Sequence, residues 1–275
     1  MTLFLYDELY YNDKPDLEAR GLLPIHLAYT FQLWGENDYP QYTLDDVPTE
    51  ALLTYRDRYG LTGQNTPSIV ILNIEHWVLY NTTDEIINES ADKYIEALRI
   101  IRSTFPTGTI FSIYNVGPLP SHFSYFREDL SQSQYDNWVA DNDKINRICD
   151  TFDMMTPSTY HRYDFPLPGD PRELQEDWER RASYYIDECK RMQPSKPIYP
   201  FIWPEWSDRE DPQVEIEPLE WRNQLDYFQS RESELAGIVL WRRHKGPTES
   251  DWPPNDDFKW WGQTKNWMFN NGIIS

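Results

Sequence analysis

The run Ser68-Ile69-Val70-Ile71-Leu72-Asn73-Ile74-Glu75-His76-Trp77 constrains the fold more than any other part of the chain. Its four consecutive apolar residues, Ile69 to Leu72, leave no polar position for a face in water. A short run of this kind reads as a strand buried on both faces, as in parallel sheets covered by helices. Asn73 and Glu75 close the run. Two residues apart, they leave an extended chain on the same side. An amide and a carboxyl group are thus delivered together at the carboxyl end of a buried strand, where α/β barrels keep their chemistry.

The rest of the chain repeats the pattern. Strand candidates are Leu3 to Tyr6, Ile25 to Leu33, Ser68 to Ile74, Thr109 to Tyr114, Phe152 to Thr156, Ile198 to Trp203 and Gly237 to Trp241. Helix candidates are Glu50 to Tyr59, Asp84 to Thr104, Gln132 to Ile148, Pro171 to Met192, Pro218 to Ser230 and Asp256 to Phe269. The second helix has an apolar stripe at Ile86, Ala91, Tyr94, Ile95, Leu98 and Ile101, with Asp84 placed to cap it. Pro171 and Pro218 stand at first helical positions, where the missing N–H costs nothing. Strands alternating with helices imply βαβ units and a parallel sheet. The expected fold is α/β, a (β/α)8-like TIM barrel, irregular or with seven clear strands, forming one catalytic domain over residues 1–275. The rival, an open doubly wound sheet, lacks a glycine-rich phosphate loop here.

Composition narrows the partners. With 46 acidic against 25 basic residues the net charge is -21, so nucleic acid is not an expected partner. No apolar run approaches the roughly 18 residues of a membrane span. The stretch Met1 to Tyr11 has no basic start followed by an apolar segment, so no signal peptide is visible; the compartment stays open, as does the oligomeric state. Cys149 and Cys189 lack metal-ligand spacing and are expected as free thiols. No cofactor or metal is expected, since His26, His76, His122, His161 and His244 form no close ligand pairs. Aromatic residues make up 16% of the chain, and most must be core, with a few left to line a cleft.

The expected strand ends supply that cleft. They carry Trp34; Asn73, Glu75 and Trp77; Tyr114; Ser158, Tyr160, His161 and Arg162; Trp203 and Glu205; and Trp241, Arg242 and Arg243. Tyr199 lies within one of the strand candidates. So many polar and aromatic strand ends together suggest a carbohydrate cleft. Glu75, among apolar and aromatic neighbours, is the candidate general acid. Asn73 does not titrate, but its amide can orient a substrate amide, as in substrate-assisted hydrolysis of a 2-acetamido sugar. Alternatively the two close the barrel as a hydrogen-bonded pair. A competing scheme takes Glu205 as nucleophile opposite Glu75, which requires the carboxyl groups about 5–5.5 Å apart. His161, Arg162, Arg242 and Arg243 would then suit an anionic sugar, unless the arginines pair with surface acids. Asp153 reads as structural, and Asp7 and Glu8 as weaker site candidates. A non-catalytic carbohydrate-binding barrel shares the same aromatic surface.

Four segments in order resemble the hyaluronidase-type glycoside hydrolases of family 56. They are Ile69 to Trp77, Thr156-Pro157-Ser158-Thr159-Tyr160, Pro197-Ile198-Tyr199-Pro200-Phe201 and Ala236-Gly237-Ile238-Val239-Leu240-Trp241. The resemblance covers roughly residues 67–245, by motif rather than continuous similarity. It implies Glu75 as general acid, Tyr160 and Trp241 as walls of the N-acetyl sugar subsite, and Ser158 as a nearby polar contact. The chain departs from that family at Asn73, where the family has Asp, and lacks the disulfides typical of its animal members. Asn73-Ile74-Glu75 after an apolar strand is similar instead to the endo-β-N-acetylglucosaminidases of family 85, in which an Asn orients the acetamide and the Glu is the acid.

Overall fold

Strands that are apolar on both faces need protein on both sides, and a ring of parallel strands inside a shell of helices provides it. The computed structural model describes residues 3–9, 11, 13–34, 49–58, 60–61, 68–120, 131–162, 173–206, 214–242, 252–253 and 258–275. Strands β1 (Phe4–Glu8), β2 (Leu23–Pro24), β3 (His26–Tyr29), β4 (Ile69–Asn73), β5 (Ile110–Ile113), β6 (Phe201–Ile202) and β7 (Gly237–Trp241) pair in parallel. They form two sheets, ordered β2-β1-β7-β6 and β3-β4-β5.

Two links join the sheets. On one side only Ile25 separates β2 from β3, so a single extended stretch pairs with β1 at its start and with β4 at its end. On the other side the segment 153–158 lies between β5 and β6. The Asp153 N–H donates to the Phe111 carbonyl at 2.8 Å, while Met155 and Ser158 bridge to Ile198 and Phe201. The result is an α/β TIM barrel with seven staves among the described residues. The Phe152 to Thr156 candidate is therefore a stave held by isolated bridges rather than by a ladder.

Helices α1 (Thr30–Trp34), α2 (Thr49–Arg58), α3 (Asp84–Thr104), α4 (Gln132–Cys149), α5 (Gln175–Met192), α6 (Pro218–Ser230) and α7 (Lys259–Asn270) follow or separate the staves. Three local expectations are corrected. The chain from Ile25 does not stay extended to Leu33, because α1 begins at Thr30: Gln32 Oε1 accepts from the Tyr29 N–H at 2.9 Å and turns the backbone. Helix α3 is capped by Thr83, whose Oγ1 accepts from the Ile86 N–H at 3.4 Å, and Asp84 instead places its charge in the first turn. Its buried stripe starts at Ile87, whereas Ile86 is exposed. Pro171 lies outside the described residues, and Pro218 opens α6 as expected.

Strand alternation sorts the side chains into two cores. Leu5, Val70, Leu72, Phe111, Ile113, Ile238 and Leu240 face outward into the helix layer. Tyr6, Leu27, Ile71, Phe201 and Val239 fill the barrel. Each buried aliphatic contributes about 1.5–3 kcal/mol, so both patterns are needed to hold the ring. Gly237 is required by this packing, since a Cβ there would lie 2.5 Å from the Tyr6 ring. Most of the aromatic excess is core: Trp138, Trp178, Trp221, Trp260, Trp261 and Trp267 are all fully buried. Both cysteines are free and buried, with their thiols pushed up by desolvation.

Candidate active site

The inward positions at the carboxyl ends of the strands form an aromatic and polar mouth. Register pairs Tyr29 of β3 with Asn73 of β4, and Tyr114 follows β5 on the neighbouring stave. Tyr160 lies beyond the 153–158 stave, Trp203 beyond β6, and Trp241 ends β7. These rings touch. Tyr160 stacks on Trp241 with centroids 5.1 Å apart and on Tyr114 at 6.1 Å. Trp203 meets both Tyr160 and Trp241 edge-on, at 5.6 and 4.8 Å. The Trp241 indole N–H donates to the Tyr29 hydroxyl at 3.0 Å, and the Tyr114 hydroxyl donates to Ser158 Oγ at 3.0 Å. The Tyr160 hydroxyl neighbours that of Tyr114, and Trp203 Nε1 is buried without a hydrogen-bond partner among the described residues.

Glu75 belongs to this mouth. Its charge acts on the hydroxyls of Tyr29, Tyr114 and Tyr160. Solvent reaches its side chain, yet enough protein surrounds it that burial raises its pKa above the usual carboxylate value, with the Asn73 amide acting against the rise. Asn73 Oδ1 is buried with no partner among the described residues. The backbone between the two residues is held from both sides. Thr30 Oγ1 donates to the Asn73 carbonyl at 2.8 Å, and the Tyr94 hydroxyl of α3 reaches the Ile74 and Trp77 carbonyls at 2.7 and 3.3 Å. In the sequence Tyr94 is only a member of a helix stripe, and nothing there signals this contact.

Glu205 has a different setting. Its Oε1 accepts from Arg242 Nε at 2.8 Å, with both side chains almost fully buried, and the Arg242 guanidinium lies 4.0 Å from the Tyr11 ring centroid. Arg242 is thus committed to the barrel wall and not presented to a cleft. His161 is also interior. Its Nδ1 meets Gln224 Nε2 at 3.1 Å, its Nε2 meets the Glu173 carbonyl at 2.8 Å, and desolvation pushes it down to about 4. Glu173 is held by Arg181, which also donates to the Tyr160 carbonyl at 2.7 Å and so fixes the chain carrying that ring. The Arg162 N–H donates to Glu173 Oε2 at 3.0 Å, while its charge reaches Tyr114.

Two further expectations are corrected. Trp77 packs edge-on against Tyr94 at 5.0 Å in the outer core, because the chain has already left the barrel wall. Tyr199 lies two residues before Phe201, at the amino-terminal end of the barrel, edge-on to Tyr6 at 5.3 Å. The Trp34 side chain and Arg243 lie outside the described residues. Asp153 is structural as expected, since its Oδ2 accepts from Arg102 and from the Phe111 N–H, each at 2.7 Å.

Glu8, a weaker candidate in the sequence, reaches the barrel interior. It is the last residue of β1, in register with Trp241, and only 6% exposed. Alternation from Tyr6 turns it into the barrel, and its charge acts on Tyr29. The signal that reveals it is the extension of the strand by two residues beyond Tyr6.

No protein-family model matches the chain, and no curated protein matches it by sequence. The fold is nevertheless similar to solved structures. Bee venom hyaluronidase, determined in complex with a hyaluronic acid tetramer, aligns with a TM-score of 0.57 at 11% identity, covering 99% of this chain and 98% of that one. A GH18 chitinase from Pseudoalteromonas aurantia aligns at 0.50 and 10% identity, covering 96% and 100%. At these identities the likeness is one of fold, and both neighbours are TIM-barrel glycoside hydrolases.

Proposed function

We propose that the chain is a glycoside hydrolase that cleaves a glycan at a 2-acetamido sugar, with Glu75 as general acid/base and Asn73 as the residue that orients the acetamide. The observation that carries this reading is the Asn73–Glu75 pair: a carboxyl group inclined to keep its proton, beside an amide whose oxygen has no partner among the described residues, in an aromatic mouth. The aromatic rings suit the apolar face of a sugar, and the acid suits the glycosidic oxygen.

The chemistry follows from these parts. Asn73 Oδ1 accepts the acetamide N–H, which points the acetamide carbonyl oxygen at the anomeric carbon. That oxygen forms a bond to the anomeric carbon as the glycosidic bond breaks, and Glu75 gives its proton to the departing oxygen. Water then attacks the anomeric carbon of the cyclic intermediate and yields a proton to the Glu75 carboxylate. The acetamide reopens and the configuration is retained. The buried pairing of Glu205 with Arg242 favours this scheme over one in which Glu205 is the nucleophile.

The test is a product screen by mass spectrometry, with wild-type and Glu75→Gln protein on acetamido-containing, uronate-rich and sulfated glycans. The expected result is cleavage by wild type alone, leaving a 2-acetamido sugar at the new reducing end. Cleavage that survives Glu75→Gln overturns the site assignment. Binding without cleavage of any glycan overturns the enzyme and leaves a carbohydrate-binding barrel.

A further inference from the structure

The aromatic lining of the mouth does not end at Trp241. Two stacked pairs of rings meet at the rim. In the inner pair Tyr160 and Trp241 lie 5.1 Å apart, with their planes 16° from parallel. In the outer pair Tyr29 and Phe31 lie 5.7 Å apart, with their planes at 17°. The Trp241 indole N–H donates to the Tyr29 hydroxyl at 3.0 Å and so joins the two pairs, one sheet to the other. Exposure rises along this path: Tyr160 is buried, Trp241 and Tyr29 are half-buried, and Phe31 is 45% exposed.

A single exposed phenylalanine is ordinary on a protein surface. Phe31 differs in its company. It sits in α1, two residues after Tyr29, the residue in register with Asn73. Tyr29 covers one side of its ring, and much of the rest meets water. Covering apolar surface is worth about 25 cal/mol per Å², so a ring left half in water at the rim of a cleft gains when a ligand lies on it. Phe31 has no polar side-chain atom. It can hold the C–H face of a pyranose, and it reads none of the groups around that sugar's edge.

We infer that Phe31 is the platform of a further sugar-binding position, outside the one at Trp241, which takes another pyranose ring of the same glycan chain. The inference rests on the glycosidase reading for the place of the inner sugar. It adds two consequences. The site binds a longer glycan more tightly than a disaccharide. The share of that gain due to Phe31 is the same for uncharged and uronate-containing chains, because an apolar ring discriminates neither.

The experiment measures binding by titration calorimetry in a Glu75→Gln background, which keeps the probes whole. The probes are N-acetylglucosamine oligomers and hyaluronan oligomers, each of two and of six sugar units. With Phe31 in place the hexamer should bind more tightly than the dimer. Phe31→Ala should weaken hexamer binding roughly three- to tenfold, the usual worth of an aromatic contact, and leave the dimer unchanged. The loss should be equal in each series that binds. Phe31→Trp should restore the affinity, whereas Phe31→Leu, apolar but without a flat face, should not. Phe269→Ala, at the carboxyl end of α7 and 64% exposed, is the control and should change nothing. Equal binding of dimer and hexamer overturns the inference, as does a Phe31→Ala affinity unchanged for both. A loss shared by the dimer, or repaired by Phe31→Leu, also overturns it, because Phe31 then only packs against Tyr29. A loss confined to one of two binding series does the same. Should Phe31→Ala fail to fold, Phe31→Leu carries the comparison. If the protein with Glu75 intact binds the probes but cleaves none, the glycosidase reading falls and the titrations still decide Phe31; if no oligomer binds, both fall.

Discussion

Glu75 and Glu205 are near twins in the sequence. Each follows a buried strand and each has a tryptophan within two residues. The fold sends them to different fates. Glu205 is sealed in the barrel wall against Arg242, its Oε1 2.8 Å from the guanidinium. Glu75 opens to solvent in the mouth, where burial and the Asn73 amide govern its proton. A buried carboxylate hydrogen-bonded to a guanidinium serves as an anchor. A carboxyl group in a half-dry mouth exchanges its proton, and that exchange is what acid catalysis needs.

The widest separation between the two should come from removing each in turn. Glu75→Gln should lower kcat about 10²–10⁴-fold, the usual contribution of a general acid, with the unfolding midpoint unchanged. The kcat/KM profile should keep its alkaline limb in wild type: Glu75 is protonated below its raised pKa, so activity falls as pH rises through that value. A profile with no alkaline limb anywhere above the usual carboxylate range would remove Glu75 as the acid.

Glu205→Gln should instead cost stability. It removes the carboxylate bonded to the buried Arg242, for which about 3–5 kcal/mol is expected, read from urea unfolding. The double change Glu205→Leu with Arg242→Met should recover much of that loss. A stable Glu205→Gln protein without activity would reverse the comparison and make Glu205 the nucleophile.

A smaller effect tests the interior on the same side as Glu205. His161 packs tilted against Trp206 at 4.6 Å and is pushed down by burial to about 4, below its usual 6.5. Between these values the unfolded chain binds a proton that the folded one does not, so folding loses stability as pH falls from about 6.5 to 4. The loss is on the order of 3 kcal/mol, and His161→Gln should flatten it in unfolding measured across that range. The mildest change is Trp241→Ala. It removes the proposed sugar platform and should raise KM roughly tenfold while leaving the pH limb in place. A shifted limb would mean that Trp241 governs the Glu75 proton as well as the sugar.

Much of the architecture is visible in local patterns. Ile69 to Leu72 announces a doubly buried strand, and alternation with helices announces the parallel barrel; α6 falls within the expected limits because Pro218 and its apolar face are both local signals. The pair Asn73 and Glu75 is equally legible, since side-chain direction along a strand has a period of two. The same rule says less where a boundary differs: β1 runs on to Glu8, which turns that weaker candidate into the barrel, and the strand from Ile25 stops at the turn made by Gln32 instead of reaching Leu33. Tyr199 was misplaced because the residue type suited a cleft while its level on the stave did not.

The sequence by itself determined the alternation, the inward and outward faces, and the placing of an amide and a carboxyl group at one strand end, because each depends on neighbours a few residues apart. Only the tertiary structure decided which acid meets which cation. Arg242 and Glu205 are 37 positions apart, and Trp241 and Tyr29 are 212 apart. Such pairings arise from barrel closure and strand register, which set charges and rings against each other without any trace in the local pattern.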